Sequence, residues 1–453
     1  MTDSYRFPPG FTWGVATSAY QIEGAAAEDG RGPSVWDAFP TRTGDTGATA
    51  CDHYHRVDED IALITALGVS AYRFSVSWPR VLPDGTGAVN ERGLAFYDRL
   101  VDRLLAAGIT PHATLFHWDS PLALEQRYGS WRSRRMAQDF ADYAAVVVRR
   151  LGDRVRDWMT INEIPCFTSM GYGVGKPGEH APGTVVRSPR EVWQTVHHAM
   201  LAHGLGCQAV RAASPGPCRI SLVDNIAVAV PVTETPEDIA AARIAFGDAW
   251  CNGAVTWPAL TGRHSDLYLA HRAAEGSMPE VQPGDLELMH QPLDGYGVNI
   301  YNGSYVRAAA GGDGFERVPA PEGHPRMDLP WLTVVPESLY WSVRMLRDAV
   351  GWQGPVTITE NGCAARDTLV NGECLDTDRI HFLRAYLRQA HRLCAEGYPL
   401  RGYFHWSLMD NFEWSWGYAK RLGLYYTAYE TQRRIPKLSA RWFRECVRAN
   451  RVV

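Results

Sequence analysis

The feature that most constrains the fold is a repeated alternation of short β-rich runs with longer segments of helical periodicity. Residues 72–77 have the composition of a strand, and residues 90–107 carry apolar side chains at helical spacing before Gly108, which we expect to cap that helix. A second helix is predicted over residues 132–150. The predicted strands are 11–17, 72–77, 109–116, 155–161, 219–223, 295–301, 356–359 and 401–405.

About eight strands separated by helical segments predict parallel pairing through right-handed crossovers. We therefore expect an α/β fold, a single (β/α)8 TIM barrel over residues 1–453 with extended βα loops. An open doubly wound sheet is the alternative. Residues 162–190 and 302–330 have little strand or helix pattern, and in a barrel both would be βα loops on the face where active sites are built.

Charge and cysteine content exclude several classes of partner. The chain carries 45 basic and 50 acidic residues, a net charge of −5, which argues against a nucleic-acid partner and against a membrane partner. The first ten residues lack the apolar segment of a secretory signal, and the nine cysteines have no paired spacing. We expect reduced thiols, a cytoplasmic location and no transmembrane segment, and a homo-oligomer remains open.

Polar and aromatic side chains follow the predicted strands at the points where the strands end. In a barrel these ends converge on one pocket. Amides and carboxylates bind vicinal hydroxyls and indoles stack on a pyranose, so the ring of side chains suits a neutral sugar. Arg73 is the one basic residue in it, and no metal-binding motif is visible, so we expect neither a metal nor another cofactor. The residues of the ring are Gln21, Arg73, His117, Asn162, Glu163, Asn225, Asn299, Tyr301, Glu360 and Trp406.

Two carboxylates in this ring, Glu163 and Glu360, end strands that lie on opposite sides of a barrel. Carboxyl groups about 5–5.5 Å apart make a retaining glycosidase, and a separation of about 6.5–9.5 Å makes an inverting one. The sequence leaves the separation open. Arg73 is placed to pair with one carboxylate and keep it ionised, while the other, in apolar surroundings, would keep a raised pKa and act as an acid.

Several long motifs occur in an order that resembles a known family. They are FTWGVATSAYQIEG (11–24), YRFSVSWPR (72–80), TLFHWD (114–119), HAPG (180–183), ITENG (358–362) and WSLMDNFEW (406–414). The chain resembles glycoside hydrolase family 1, the retaining β-glucosidases and β-galactosidases, from Phe7 to about Phe443.

The resemblance implies a role for each matching residue. Glu163 would be the acid/base and Glu360 the nucleophile, oriented by Arg73 and Tyr301. Asn299 also matches a position beside the nucleophile, Asn225 matches a polar position after the fifth strand, and Trp331 matches the indole that flanks the aglycone. The implied substrate-binding residues are Gln21, His117, Asn162, Asn299, Tyr301, Trp331, Trp406, Glu413 and Trp414.

Two further points concern substrate choice. Relatives that act on 6-phosphorylated sugars lack the acid at Glu413, so its presence here favours an unphosphorylated sugar. The usual Asn-Glu-Pro is replaced by Asn162-Glu163-Ile164, and Pro165 stands where an entrance indole is common. These departures concern the aglycone side of the pocket and leave the reaction class unchanged.

The predicted function is hydrolysis of terminal, non-reducing β-D-glucosyl residues by a retaining β-glucosidase. The partner would be a small-molecule β-glycoside or a short oligosaccharide, with β-galactosides and β-fucosides as further candidate substrates. One alternative is a transglycosylase that transfers the sugar to a small-molecule acceptor through the same covalent intermediate. The other is a sugar-binding barrel without catalytic activity.

Overall fold

Eight parallel strands close into a barrel in the computed structural model, which describes residues 5–453; residues 1–4 of the predicted domain lie outside the described residues. The first strand pairs with the last, Thr12 opposite Gly402, and with the second, Gly14 opposite Ala71. The predicted barrel is confirmed, and the open sheet is wrong. The strands are β1 (Thr12–Ala16), β2 (Ala71–Ser75), β3 (Thr110–Phe116), β4 (Asp157–Asn162), β5 (Arg219–Asp224), β6 (Gly295–Asn299), β7 (Val356–Asn361) and β8 (Leu400–Trp406).

Helices surround the barrel between successive strands. The helix Glu91–Ala106 buries Leu94, Leu100 and Leu104, and Gly108 follows it with φ +73°, as predicted. The helix predicted from residue 132 begins at Arg135, because the extended backbone of Ser133 separates it from a 3₁₀ turn, Ser130–Arg132. The other longer helices are Val57–Leu67, Pro189–Ala213, Pro236–Phe246, Asp266–Glu275, Glu337–Met345, Thr377–Ala395 and Leu438–Ala449.

Short elements fill the βα connections. The short helices are Ala19–Ile22, Val35–Ala38, Trp78–Val81, Leu122–Tyr128, Ile164–Phe167, Thr256–Thr261 and Asp285–Met289, with a π turn at Leu346–Val350 and a 3₁₀ turn at Trp414–Trp416. The two segments predicted to lack structure contain small sheets: Tyr172–Val174 with Thr184–Val186, and Ser304–Ala308 with Phe315–Val318 and Ala229–Pro231. A hairpin, Tyr425–Ala428 with Arg433–Pro436, follows β8. The strands within those two segments are short and mostly not buried, so they lack the apolar run that marks the barrel strands.

The described helices include none that is both long and apolar enough to cross a membrane.

A buried ionic cluster fixes the segment that leads into the last helix. The ammonium group of Lys437 lies 2.6 Å from Oδ1 of Asp410 and 2.5 Å from Oδ2 of Asp367. Arg421 pairs with the other oxygen of Asp410, and Arg379 pairs with Asp367. A buried charge that loses its partner is strongly destabilising, so the packing of Leu438–Ala449 on the barrel depends on this cluster.

Replacing Lys437 with Met should lower the free energy of unfolding by about 3–5 kcal/mol, because two buried carboxylates lose a cation. The exposed Lys176→Met is the matched control, with an expected change of about 0.5 kcal/mol or less. Urea unfolding followed by tryptophan fluorescence measures both. Equal midpoints for the two variants would contradict this account.

Candidate active site

The carboxyl ends of the barrel strands bring the two predicted carboxylates into one buried pocket. Glu360 lies in β7, and Glu163 directly follows β4. Glu163 and Glu360 are 6% and 3% exposed. The electrostatic repulsion of Glu360 is one of the two causes that raise the pKa of Glu163, so the two groups interact.

Glu360 is held by a cation and a phenol. Nη1 of Arg73 donates to its Oε1 at 2.6 Å, and the hydroxyl of Tyr301 donates to its Oε2 at 2.7 Å. Burial raises the pKa of Glu360, and Arg73 and Tyr301 oppose that rise by stabilising the ionised form. The predicted pairing of Arg73 with one carboxylate is thus with Glu360.

Glu163 has neutral donors instead. Nδ2 of Asn299 donates to its Oε1 at 2.6 Å, and the thiol of Cys166 donates to its Oε2 at 3.0 Å. Burial, followed by repulsion from Glu360, raises the pKa of Glu163 above its usual range. Its backbone is left-handed, with φ +47°, where it precedes the short helix Ile164–Phe167. Such backbone strain in a non-glycine residue is typical of functional sites.

Asn162 connects the two sides of the pocket. Its Oδ1 accepts from Nη2 of Arg73 at 2.7 Å and from Nδ2 of Asn299 at 3.0 Å. The amide NH2 of Asn162 is therefore directed to Nε2 of His117, 3.2 Å away, which must accept. Burial and Arg73 lower the pKa of His117 well below its usual range, so the ring is neutral and carries its proton on Nδ1.

Two buried polar atoms of the pocket lack partners among the described residues: Nδ1 of His117 and Oε2 of Glu413. Burial and the nearby Glu360 raise the pKa of Glu413 to about 8. An unsatisfied buried polar group is costly unless a ligand completes it. A donor and a carboxyl acceptor in one pocket are what adjacent hydroxyl groups of a sugar would satisfy.

Aromatic rings line the same pocket. The His117 ring lies nearly parallel to Trp406 at 5.6 Å and to Trp414 at 5.8 Å between centroids. Gln21 is fixed from both ends: the Ser18 hydroxyl donates to its Oε1, and its Nε2 donates to the carbonyl of Phe412. The structure therefore groups four predicted residues near the two carboxylates: His117, Trp406, Trp414 and Glu413.

Two predicted residues lie away from the carboxylates. Trp331 is 46% exposed and packs edge-on against Tyr301, with ring centroids 5.8 Å apart, so it belongs to the rim of the pocket. Asn225 contacts neither carboxylate; its Nδ2 donates to the sulfur of Cys166 at 3.2 Å. Its contribution to the site thus runs through Cys166.

Sequence reasoning assigned no role to three residues of this region. Cys166 touches Glu163, and its position three residues after Glu163, one helical turn away, was the available signal. Trp118 donates from its indole to the carbonyl of Asn162 at 2.9 Å and packs against Trp414. The half-exposed Trp250 donates to Oγ of Ser169, and the Ser169 hydroxyl in turn donates to the carbonyl of Pro165. A distant segment supplies this indole, so no local motif indicates it.

No group of three or more His, Cys, Asp or Glu side chains within residues 5–453 is arranged to hold a metal ion.

A parallel eight-stranded barrel whose strand ends enclose two interacting carboxylates among amides and indoles defines a glycoside hydrolase site. Residues 3–452 match the family model described as "Glycosyl hydrolase family 1", and the chain belongs to that family.

Named relatives align over nearly the whole chain. It is 45% identical to "Thermostable beta-glucosidase B" of Thermobispora bispora, over 98% of this chain and 91% of that protein. It is 40% identical to "Bifunctional beta-D-glucosidase/beta-D-fucosidase" of Bifidobacterium breve, over 97% of this chain and 98% of that protein. A solved structure of the β-glucosidase from Thermotoga maritima in complex with glucoimidazole superimposes with a TM-score of 0.88 at 39% identity, covering 98% of this chain and 99% of that one.

Replacing Tyr301 with Phe should raise the pKa of Glu360, because the ionised carboxylate loses the hydroxyl that donates to its Oε2. Titration of carboxyl resonances in protein labelled with 13C at glutamate measures the shift, which we expect to be about one unit. Tyr418→Phe is the control, since that hydroxyl donates to the carbonyl of Thr46. An unchanged titration of Glu360 in Tyr301→Phe would contradict the conclusion that the Tyr301 hydroxyl stabilises the ionised form of Glu360.

Proposed function

We propose that the protein is a retaining β-glucosidase in which Glu360 is the nucleophile and Glu163 the acid/base. One observation carries the assignment: of two interacting buried carboxylates, one is paired with a cation and the other has only neutral donors. A cation and a phenol favour the ionised form of Glu360, whereas Glu163 has an amide and a thiol and no cation in contact. The names of the relatives support the choice of β-glucosides.

In the first half of the reaction, a carboxylate oxygen of Glu360 attacks the anomeric carbon of the bound sugar. Glu163, protonated because burial raises its pKa, donates its proton to the glycosidic oxygen, and the bond to the aglycone breaks. Arg73 stays paired with Glu360 and keeps its attacking form ionised until the covalent bond forms.

In the second half, Glu163 is a carboxylate. It takes a proton from a water molecule, and the oxygen of that water attacks the anomeric carbon and displaces Glu360. Forming the ester removes the negative charge of Glu360, which is one of the two causes of the raised pKa of Glu163. The pKa of Glu163 therefore falls in the intermediate, so Glu163 stays ionised and can accept the proton when a base is needed. Two displacements leave the product in its original β configuration.

The glycone would lie between the indoles and the unsatisfied polar atoms. Nδ1 of His117 is positioned to donate to one sugar hydroxyl and the carboxyl group of Glu413 to bind another. A phosphate on the sugar 6-position would lie near Glu413. The ionised carboxylate of Glu413 would repel it, and the protonated carboxyl group would offer it no cation, because within residues 5–453 no basic side chain contacts Glu413. We therefore propose unphosphorylated β-glucosides, β-galactosides and β-fucosides as substrates, with the aglycone passing Trp331 at the rim.

We also propose that the chain forms one domain over 1–453 and works in the cytoplasm, without nucleic-acid or membrane partners; whether it forms a homo-oligomer is open. All nine cysteines are free thiols, which supports a reducing compartment. Sedimentation equilibrium of the purified protein decides between a monomer and a homo-oligomer.

Replacing Glu360 with Ala should remove nearly all turnover of 4-nitrophenyl β-glucoside, a loss of about 10⁴-fold or more, because no covalent intermediate forms. Glu163→Ala should spare activated aryl glucosides most, and added azide should restore its turnover as β-glucosyl azide. Glu191→Ala, at a partly exposed residue in the first turn of the helix Pro189–Ala213, is the control. Wild-type rates in Glu360→Ala, or an α-anomer as the first product by NMR, would contradict the mechanism.

Substrate choice is tested with 4-nitrophenyl β-glucoside, β-galactoside, β-fucoside and 6-phospho-β-glucoside without added metal. We expect turnover of the neutral glycosides and a kcat/KM for the phosphorylated one at least about 10²-fold lower, because Glu413 disfavours the phosphate. Glu413→Ser should narrow that gap. Preferred turnover of the 6-phospho substrate by the wild-type enzyme would overturn the proposal for the glycone.

A further inference from the structure

The buried thiol of Cys166 contacts the acid/base and is itself oriented by a third residue. It donates to Oε2 of Glu163 at 3.0 Å and accepts from Nδ2 of Asn225 at 3.2 Å. The thiol is 6% exposed, and it lies on the first turn of the short helix that Glu163 precedes. The three side chains thus form a chain of donors that ends on one oxygen of the acid.

The other oxygen of Glu163 is bound by Asn299, so the two carboxyl oxygens have one donor each. Asn299 is fixed in turn, because its Oδ1 accepts from the hydroxyl of Thr359 at 2.7 Å and its amide also reaches Asn162. Removing the thiol would leave Oε2 of Glu163 without a donor, and the carboxyl group would be held by Asn299 alone. Burial raises the pKa of the Cys166 thiol well above its usual range, so it keeps its proton and can only act as a donor toward Glu163.

We propose that Cys166 is a positioning residue for the acid/base: its thiol, oriented by Asn225, holds the Glu163 carboxyl group in place and stabilises its ionised form. The inference rests on the proposed function and adds to it the residue that sets when Glu163 loses its proton. A donor to the carboxylate favours the charged form. The thiol therefore limits the rise in the pKa of Glu163 that burial and the charge of Glu360 cause.

Other charged or titratable groups also face Glu163, and all of them stay in place in the test. They are Glu360 and Arg73, which act on it electrostatically, and Tyr301, which contacts Glu360. Cys251 lies beside Cys166, and His180 contacts the backbone of Cys166.

The experiment compares the pH dependence of kcat/KM for wild type, Cys166→Ala and Cys166→Ser. Without the thiol, Glu163 keeps its proton to higher pH, so the alkaline limb of Cys166→Ala should move up by about 0.5–1 pH unit while the acid limb, set by Glu360, stays in place. The serine hydroxyl also donates, so the limb of Cys166→Ser should lie at or below that of wild type. Cys207→Ala, a buried cysteine on the helix Pro189–Ala213, is the matched control.

A second readout depends on the leaving group. Misplacing the acid should lower kcat of Cys166→Ala about 3- to 10-fold for an alkyl β-glucoside and leave 4-nitrophenyl β-glucoside within about 2-fold, because only the poor leaving group needs the proton. Loss of packing alone would lower both rates together. If Cys166→Ala does not fold, Cys166→Val fills the space without a donor.

An alkaline limb that stays at the wild-type position in Cys166→Ala, or a Cys166→Ser variant that behaves like Cys166→Ala, overturns the inference. Glu163→Gln separates this from a failure of the proposed function. If Glu163→Gln loses the alkaline limb and Cys166→Ala keeps it, only the role of the thiol is wrong. If Glu163→Gln keeps wild-type rates and limb on the alkyl glucoside, the acid assignment itself is wrong.

Discussion

The pocket depends on one buried cation, the guanidinium group of Arg73. It lies in β2 with no exposed surface and donates to Glu360 in β7, to Asn162 at the end of β4 and to Thr114 in β3. A cation removed from water at the centre of a barrel is tolerated only when it is paired and hydrogen-bonded. The same bonds that satisfy it fix a carboxylate and an amide from strands on opposite sides of the barrel.

This cation makes two carboxylates in similar burial chemically different. Glu360 forms an ion pair with Arg73. Glu163, which the guanidinium does not contact, has only neutral donors. Desolvation alone would keep both groups protonated, and repulsion alone would leave undecided which one ionises. The position of Arg73 decides it. Arg73 also sets the direction of the Asn162 amide, because it donates to Oδ1 and leaves the NH2 group facing His117. That NH2 group places the proton of His117 on Nδ1, so the donors offered to a sugar depend on Arg73 as well.

The barrel, its strands and the two carboxylates could be predicted because they rest on local patterns: apolar runs of five to seven residues, each followed by polar side chains. The sheets within 162–190 and 302–330 could not, since their strands are short and mostly not buried, so they carry no long apolar run. The pairing of Arg73 was expected, but its partner was fixed only by the register of the barrel. Cys166 carries no motif. Its role depends on the left-handed backbone of Glu163, which turns the acid back over the helix that follows.

That left-handed backbone fits the order of residues after Glu163, where Ile164 and not a proline comes directly next. Proline at that position restricts the residue before it to extended conformations, whereas Glu163 here has φ +47° and ψ 69°. With Ile164 first and Pro165 second, the proline occupies the first turn of Ile164–Phe167, where its missing N–H is not needed. The turn then places Cys166 against the carboxyl group of Glu163, so the order of residues after Glu163 determines which side chain donates to its Oε2.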